Sequence, residues 1–232
     1  MTPPNFMADS ARTMTDWLGF LGNRRPADSA PAAVTPAAST PELSHATKSL
    51  QKFLSCLQSH DKPVLLDLGP VVGSNVNFFG EQLGCRIRVE DLASDIEAHV
   101  KKGTAEELPA FFEKRFTQEA GSVDGILAWD VLDHLDRKAA EALAAAMTRL
   151  LRSDGVLLGF FGTGEARQAI YTKYVVVDPQ HLHYRHYPAS RPRQRALLTG
   201  DIIRMFKGMR VSDSFLMKSN VREMLFRKNP TT

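Results

Sequence analysis

The chain has 232 residues, 43% hydrophobic and 24% charged, which suits one medium-sized domain with a filled core plus a further segment. It has no apolar run near the ~18 residues a membrane span requires, and its start reads as no secretion leader, so a soluble, cytoplasmic protein is expected with no membrane role. The net charge of +3 is unevenly spread: residues 1–150 carry 15 Lys and Arg against 20 Asp and Glu, whereas residues 151–232 carry 14 against 6, a balance that suits an anionic ligand as well as a solvated surface.

Residues 1–22 contain Met14, Trp17, Leu18 and Leu21 at i, i+3, i+4, i+7 spacing, which predicts a short amphipathic helix. Its polar face is not basic, so a protein partner or its own domain is the expected contact rather than a lipid surface. Residues 23–39 are dominated by Ala, Pro, Ser and Thr and read as a flexible linker. The folded domain is expected over 40–232. Thr40 reads as a helix N-cap with Pro41 at the first helical position, followed by an apolar face of Leu50, Phe53, Leu54 and Leu57.

Val64 to Leu68 is an apolar run broken only by Asp67, as expected of a strand covered on both faces. A helix over 75–83 and a strand over 86–90 follow. From Asp95 to about Ala120 the pattern is helical and contains no clear strand. A second buried strand is expected over 124–129, a helix over 137–151 and another strand over 156–161. Alternation of this kind predicts an α/β fold, a mostly parallel sheet flanked by helices. Residues 174–187, rich in Val, Tyr and His, read as a β excursion over the sheet's carboxyl edge. A helix over 199–206, capped by Thr199, then precedes two strands at 209–217 and 221–227 that form a closing antiparallel hairpin. Cys56 and Cys85 lie in apolar segments and read as reduced thiols.

Four motifs in order carry a family resemblance: the strand ending Asp67-Leu68-Gly69, the acidic strand end Glu90-Asp91, the run from Asp124 through Trp129-Asp130 to Leu135, and Leu150 to Val156. Over residues 45–228 the chain resembles the class I S-adenosylmethionine-dependent methyltransferases, whose Rossmann-like sheet ends in such a hairpin. The resemblance implies S-adenosylmethionine as cofactor and methyl transfer as the reaction. It places Gly69 and Gly73 in a tight turn beneath the cofactor, and Ser74 and Asn75 at a helix start facing its carboxylate. Asp67 orients that loop, Glu90 or in its stead Asp91 accepts from the ribose hydroxyls, and Trp129 and Asp130 stand beside the sulfonium. The chain departs from the family where Pro70 replaces an N–H donor and where Thr104-Ala105 stands in place of an acidic adenine contact.

The same residues have plainer uses, as turn formers, a polar strand exit or core, and a non-catalytic methyltransferase-like scaffold is the alternative reading. A nicotinamide-dependent oxidoreductase is a third, disfavoured by an incomplete glycine pattern. No catalytic residue is assigned, although His134, Asp130 and the histidines His181, His183 and His186 are candidate proton acceptors. The histidine spacing disfavours a metal site. Arg191, Arg193 and Arg195 at alternate positions suit a carboxylate or phosphate clamp. A small molecule is favoured as acceptor, with protein and RNA left open.

Overall fold

Apolar runs that alternate with amphipathic helices in the sequence become one mixed sheet in the computed structural model, which describes residues 43–164, 169–194 and 196–230. The expected N-terminal helix around Met14 to Leu21, the linker at 23–39, Thr40, Pro41 and Arg195 lie outside the described residues. The strands are β1 (Ser44–Ala46), β2 (Val64–Asp67), β3 (Arg86–Val89), β4 (Val123–Trp129), β5 (Leu151–Gly162), β6 (Ile170–Asp178), β7 (His181–Pro188), β8 (Met209–Leu216) and β9 (Val221–Lys228). The α-helices are α1 (Ser49–Leu57), α2 (Gly73–Asn77), α3 (Leu92–Lys102), α4 (Leu108–Arg115), α5 (Arg137–Leu150) and α6 (Thr199–Met205).

Six strands form the main sheet in the order β3-β2-β4-β5-β9-β8. β3, β2, β4 and β5 run parallel, and β9 and β8 close the sheet as an antiparallel hairpin. This is the Rossmann-like α/β arrangement expected from the alternation. No strand forms between α3 and β4 among the described residues, so β3 is the sheet's edge. β1, β7 and β6 make a second, three-stranded antiparallel sheet.

Successive side chains of β2 and β4 alternate between two apolar clusters, as the two-residue strand period requires. Leu66, Ile126 and Ala128 join α3, α4, α5 and α6 in one cluster. Leu65, Leu127 and Trp129 join α1, the segment at 78–82 and β6 in the other. Helix α1 lies very close to β4 at Gly125, where a Cβ would stand 2.6 Å from Leu57 Cδ2 and 3.0 Å from Phe53 Cζ. Among the described residues no helix is long and apolar enough to cross a membrane.

The structure corrects the local reading at four places. Residues 44–46 are a strand paired with β7, and α1 begins only at Ser49. Its start is set by Glu223, a fully buried residue of β9 whose Oε2 accepts from the N–H groups of Lys48 and Ser49, both 2.9 Å, and from the Thr47 hydroxyl at 3.1 Å. A carboxylate at that position satisfies donors the helix itself cannot. The helix after β2 is shorter than expected and continues as a π-helical turn, Phe78–Gln82. β5 begins at Leu151, because Asp154 adopts φ 62° and the strand resumes its pairing with β4 at Val156 after an irregularity. Thr199 lies inside α6 and provides no side-chain cap; Leu198 holds the N-cap position.

Asn75 is 2% exposed and joins the two sheets' elements. Its Nδ2 donates to the Tyr174 carbonyl at 2.8 Å and its Oδ1 accepts from the Val176 N–H at 2.8 Å. Asn75→Ala leaves both backbone groups of β6 unpaired in a buried setting. The expected loss is ~2–4 kcal/mol of unfolding free energy in urea titration, and a loss below about 0.5 kcal/mol would contradict this anchoring role.

Candidate functional site

Chain order reverses between β2 and β4: from β2 the chain steps outward to β3, then crosses back to β4 on the other side. In open α/β sheets such a switch point leaves a crevice beyond the carboxyl ends of the two strands, and ligands bind there. The structure has a crevice there. Leu68, Gly69 and Pro70 after β2 and Ala128 to Val131 at the end of β4 form its floor. Ala93, Ile96, Glu97 and Val100 of α3 form one wall, and Tyr171, Thr172, Ala189, Arg191 and His134 the other. Its empty space, including the part open to solvent at the mouth, amounts to about 560 Å³.

Asp67 ties the floor together. It is 2% exposed, and its Oδ1 accepts from the Gly69 N–H at 2.9 Å and from the Trp129 indole N–H at 2.7 Å. Gly69 permits this approach: a Cβ there would sit 2.7 Å from Trp129 Cδ1. Trp129 has φ 47°, a left-handed conformation costly for a bulky residue. The Asp67 bond, stacking on Tyr174 (centroids 5.1 Å, 8° between planes) and an edge contact with Phe160 hold it there. Burial pushes the Asp67 carboxyl up to about 6, against the two N–H donors that favour its ionised form.

A second ionic cluster flanks the crevice. Asp130 pairs with Arg193, whose Nη1 also lies 3.6 Å from Asp133 Oδ2. Burial alone would raise the Asp130 carboxyl, but His134, Arg193 and Tyr174 outweigh it and hold Asp130 below the usual range. Asp133 is raised to about 7 by burial, partly opposed by Arg193 and by the Gly162 N–H, which donates at 2.7 Å. His134 Nε2 is 3.9 Å from Asp130 Oδ2, too far for a hydrogen bond, and is buried without a partner.

Residues 189–194 run as a strap along the crevice. Ser190 donates through its N–H (3.0 Å) and hydroxyl to Glu97, Arg191 Nη2 donates to the His134 carbonyl at 2.9 Å, and the Gln194 N–H donates to the Asp133 carbonyl at 2.8 Å. Arg193 completes the attachment.

Of the residues singled out in the sequence, Gly69, Trp129 and Asp130 line the crevice and Asp67 supports its floor. Others are committed elsewhere. Asn75 holds β6, and Gly73 and Ser74 are exposed and do not line the crevice. Glu90 is paired with Arg115 at 2.7 Å and accepts from Gln118 at 3.3 Å. Asp91 caps α3, accepting from the Ser94 N–H at 3.0 Å and its hydroxyl at 2.9 Å. The β7 imidazoles do not line the crevice either: His181 bonds Asp178, and His186 bonds Thr172. Among the described residues no His, Cys, Asp and Glu cluster suits a metal ion. Glu97, Tyr171 and Thr172 were not singled out in the sequence. Glu97 sits nearly two turns along α3 from the acidic strand end and carried no motif, and the two β6 residues depend on how the hairpin folds back.

No family model matches the sequence, and no curated protein matches it. Among solved structures the chain is similar to the 1,6-didemethyltoxoflavin-N1-methyltransferase of Burkholderia thailandensis, determined with 1,6-didemethyltoxoflavin and S-adenosylhomocysteine bound. The two share 19% identity over 78% of each chain, with a TM-score of 0.45. It is also similar to an S-adenosylmethionine-dependent methyltransferase from Clostridium acetobutylicum, at 12% identity over 78% of this chain and 91% of that one, with a TM-score of 0.47.

Two outcomes test this geometry. Gly69→Ala drives a methyl group into the indole, so the Asp67–Trp129 bond breaks and Trp129 fluorescence shifts to the red; an unchanged spectrum would contradict the packing. Asp133 keeps its proton in the fold while the unfolded chain, near 3.8, loses it. The native state therefore binds more protons between about pH 4 and 7, and stability falls as pH rises through that window, by up to ~4 kcal/mol. Urea midpoints of Asp133→Asn across this range should slope less steeply than those of the parent, and parallel curves would rule the assignment out.

Proposed function

We propose that this chain is a class I S-adenosylmethionine-dependent methyltransferase that acts on a small-molecule acceptor. The carrying observation is the partly apolar crevice at the β2–β4 switch point, with Gly69, Trp129 and Asp130 on its floor. Its residues fit the cofactor in chemistry. Leu68, Pro70, Ile96, Val100 and Val131 offer apolar faces for a purine. Asp130 and Glu97 are carboxylates held below their usual range, each beside a cation of the protein, Arg193 and Lys101 respectively. Glu97 lines the crevice directly, whereas Glu90 is already engaged by Arg115. Ribose recognition falls first to Glu97 because it lines the crevice; its carboxylate accepts twice from Ser190 and pairs with Lys101 at 3.3 Å, which leaves acceptor capacity for a hydroxyl.

When bound, the cofactor supplies an already activated methyl group on its sulfonium. The protein's task is then alignment and exclusion of water. The apolar walls and the strap at 189–194 provide the exclusion. Asp130, fixed by Arg193, holds negative charge at a defined place on the floor. Where an acceptor must release a proton, His134 is the candidate to take it: it lines the crevice, and its Nε2 makes no hydrogen bond and lies 3.9 Å from Asp130 Oδ2.

The scaffold reading draws on Pro70, on the committed Glu90 and on the absent strand after α3. Isothermal titration separates the two. The methyltransferase reading expects S-adenosylhomocysteine to bind one to one at micromolar affinity, and Ala93→Trp, which fills the crevice from α3, to abolish binding without lowering the melting temperature. Absence of heat with the parent protein, or full affinity in Ala93→Trp, would refute it.

A further inference from the structure

The strap carries two arginines with opposite surroundings. Arg193 is paired with Asp130 and Asp133. Arg191, two residues earlier, lines the crevice, and among the described residues no carboxylate pairs with it. Among the described residues its one hydrogen bond goes from Nη2 to the His134 carbonyl, and its Nε is buried without a hydrogen-bond partner. A guanidinium has five N–H donors and stays charged throughout the accessible pH range. A half-buried guanidinium without a paired carboxylate and with a buried, unbonded Nε carries a desolvation cost that a bound anion relieves. The next residue is Pro192, which restricts the Arg191 backbone to extended conformations and limits its retreat. His134, which also lines the crevice, likewise has a buried Nε2 with no hydrogen bond, as do Arg193 Nε and Asp133 Oδ1.

We propose that Arg191 is a carboxylate clamp: the crevice takes a ligand with an apolar body and a carboxylate, which bonds the Arg191 guanidinium. The apolar body is dictated by Leu68, Pro70, Ile96, Val100 and Val131. A carboxylate matches the planar fork of a guanidinium in geometry as well as charge. This deepens the methyltransferase reading and rests on it for the role of the crevice, but the clamp itself depends only on Arg191 and its surroundings. Two ligands present such a group, the amino-acid end of the cofactor and an acidic acceptor.

The test compares the full chain with Arg191→Met and Arg191→Lys, by calorimetry against three probes. S-adenosylhomocysteine has the nucleoside and the carboxylate, 5′-methylthioadenosine has the nucleoside alone, and 2-naphthoate has an apolar ring and a carboxylate alone. In Arg191→Met, affinity for at least one carboxylate probe is expected to fall about 10- to 100-fold, the worth of one charge-assisted hydrogen bond. Arg191→Lys, which keeps the charge without the fork, should recover part of it. If S-adenosylhomocysteine weakens while 5′-methylthioadenosine does not, the clamp holds the cofactor's own carboxylate. If only 2-naphthoate weakens, it holds the acceptor's. Should the parent bind 2-naphthoate through Arg191 but neither nucleoside, the clamp stands and the methyltransferase reading falls. Unchanged affinity for both carboxylates in Arg191→Met, or no binding of either by the parent, overturns the proposal.

Discussion

One oxygen atom organises the carboxyl edge of this sheet. Asp67 Oδ1 receives the Gly69 N–H and the Trp129 indole N–H, binding the turn after β2 to the end of β4 across the switch point. Everything at the crevice floor depends on that shared acceptor. It keeps Trp129 in a left-handed backbone conformation, and the indole in turn provides the flat surface on which Tyr174 of the second sheet stacks. Gly69 is required by the same contact, since the indole occupies the space a side chain would need. A carboxyl so enclosed resists ionisation, which makes this knot a source of tension as well as cohesion.

Along the opposite flank the fold relies on charge. The strap at 189–194 contributes no large apolar side chain, and what fixes it is Ser190 on Glu97, Arg191 on the His134 carbonyl, and Arg193 between Asp130 and Asp133. Such attachments have directional geometry and little hydrophobic contribution, so they position a segment without welding it into the core. A crevice floor set by packing and a cover set by ion pairs is an arrangement suited to a site that must admit a ligand.

The architecture was legible because it follows from short-range pattern. The apolar runs at 64–68 and 124–129 and the closing hairpin at 209–228 emerged near their expected bounds, and Asp67, Gly69, Trp129 and Asp130 came together from motifs far apart in the chain. What escaped the sequence was set by distant partners. Glu90 and Asp91 look equivalent as letters, yet Arg115 from α4 claims one and the helix cap claims the other. Asn75 resembles a helix-start ligand donor, but its amide has the length and both polarities needed to pair with β6. The histidines of β7 read as candidate proton acceptors, and the hairpin's fold places Tyr171 and Thr172 of the neighbouring strand at the crevice instead.

The buried carboxylate of Glu223 at the start of α1 has a consequence for how the molecule comes into being. Its partners at Thr47, Lys48 and Ser49 lie 174 to 176 positions earlier in the chain. During synthesis the first helix of the described region therefore waits for β9 to emerge before its leading turn is satisfied. Contacts of such high order slow the search for the native arrangement. Until β9 has left the ribosome, the nascent chain exposes the apolar side of α1 to whatever chaperone reaches it first.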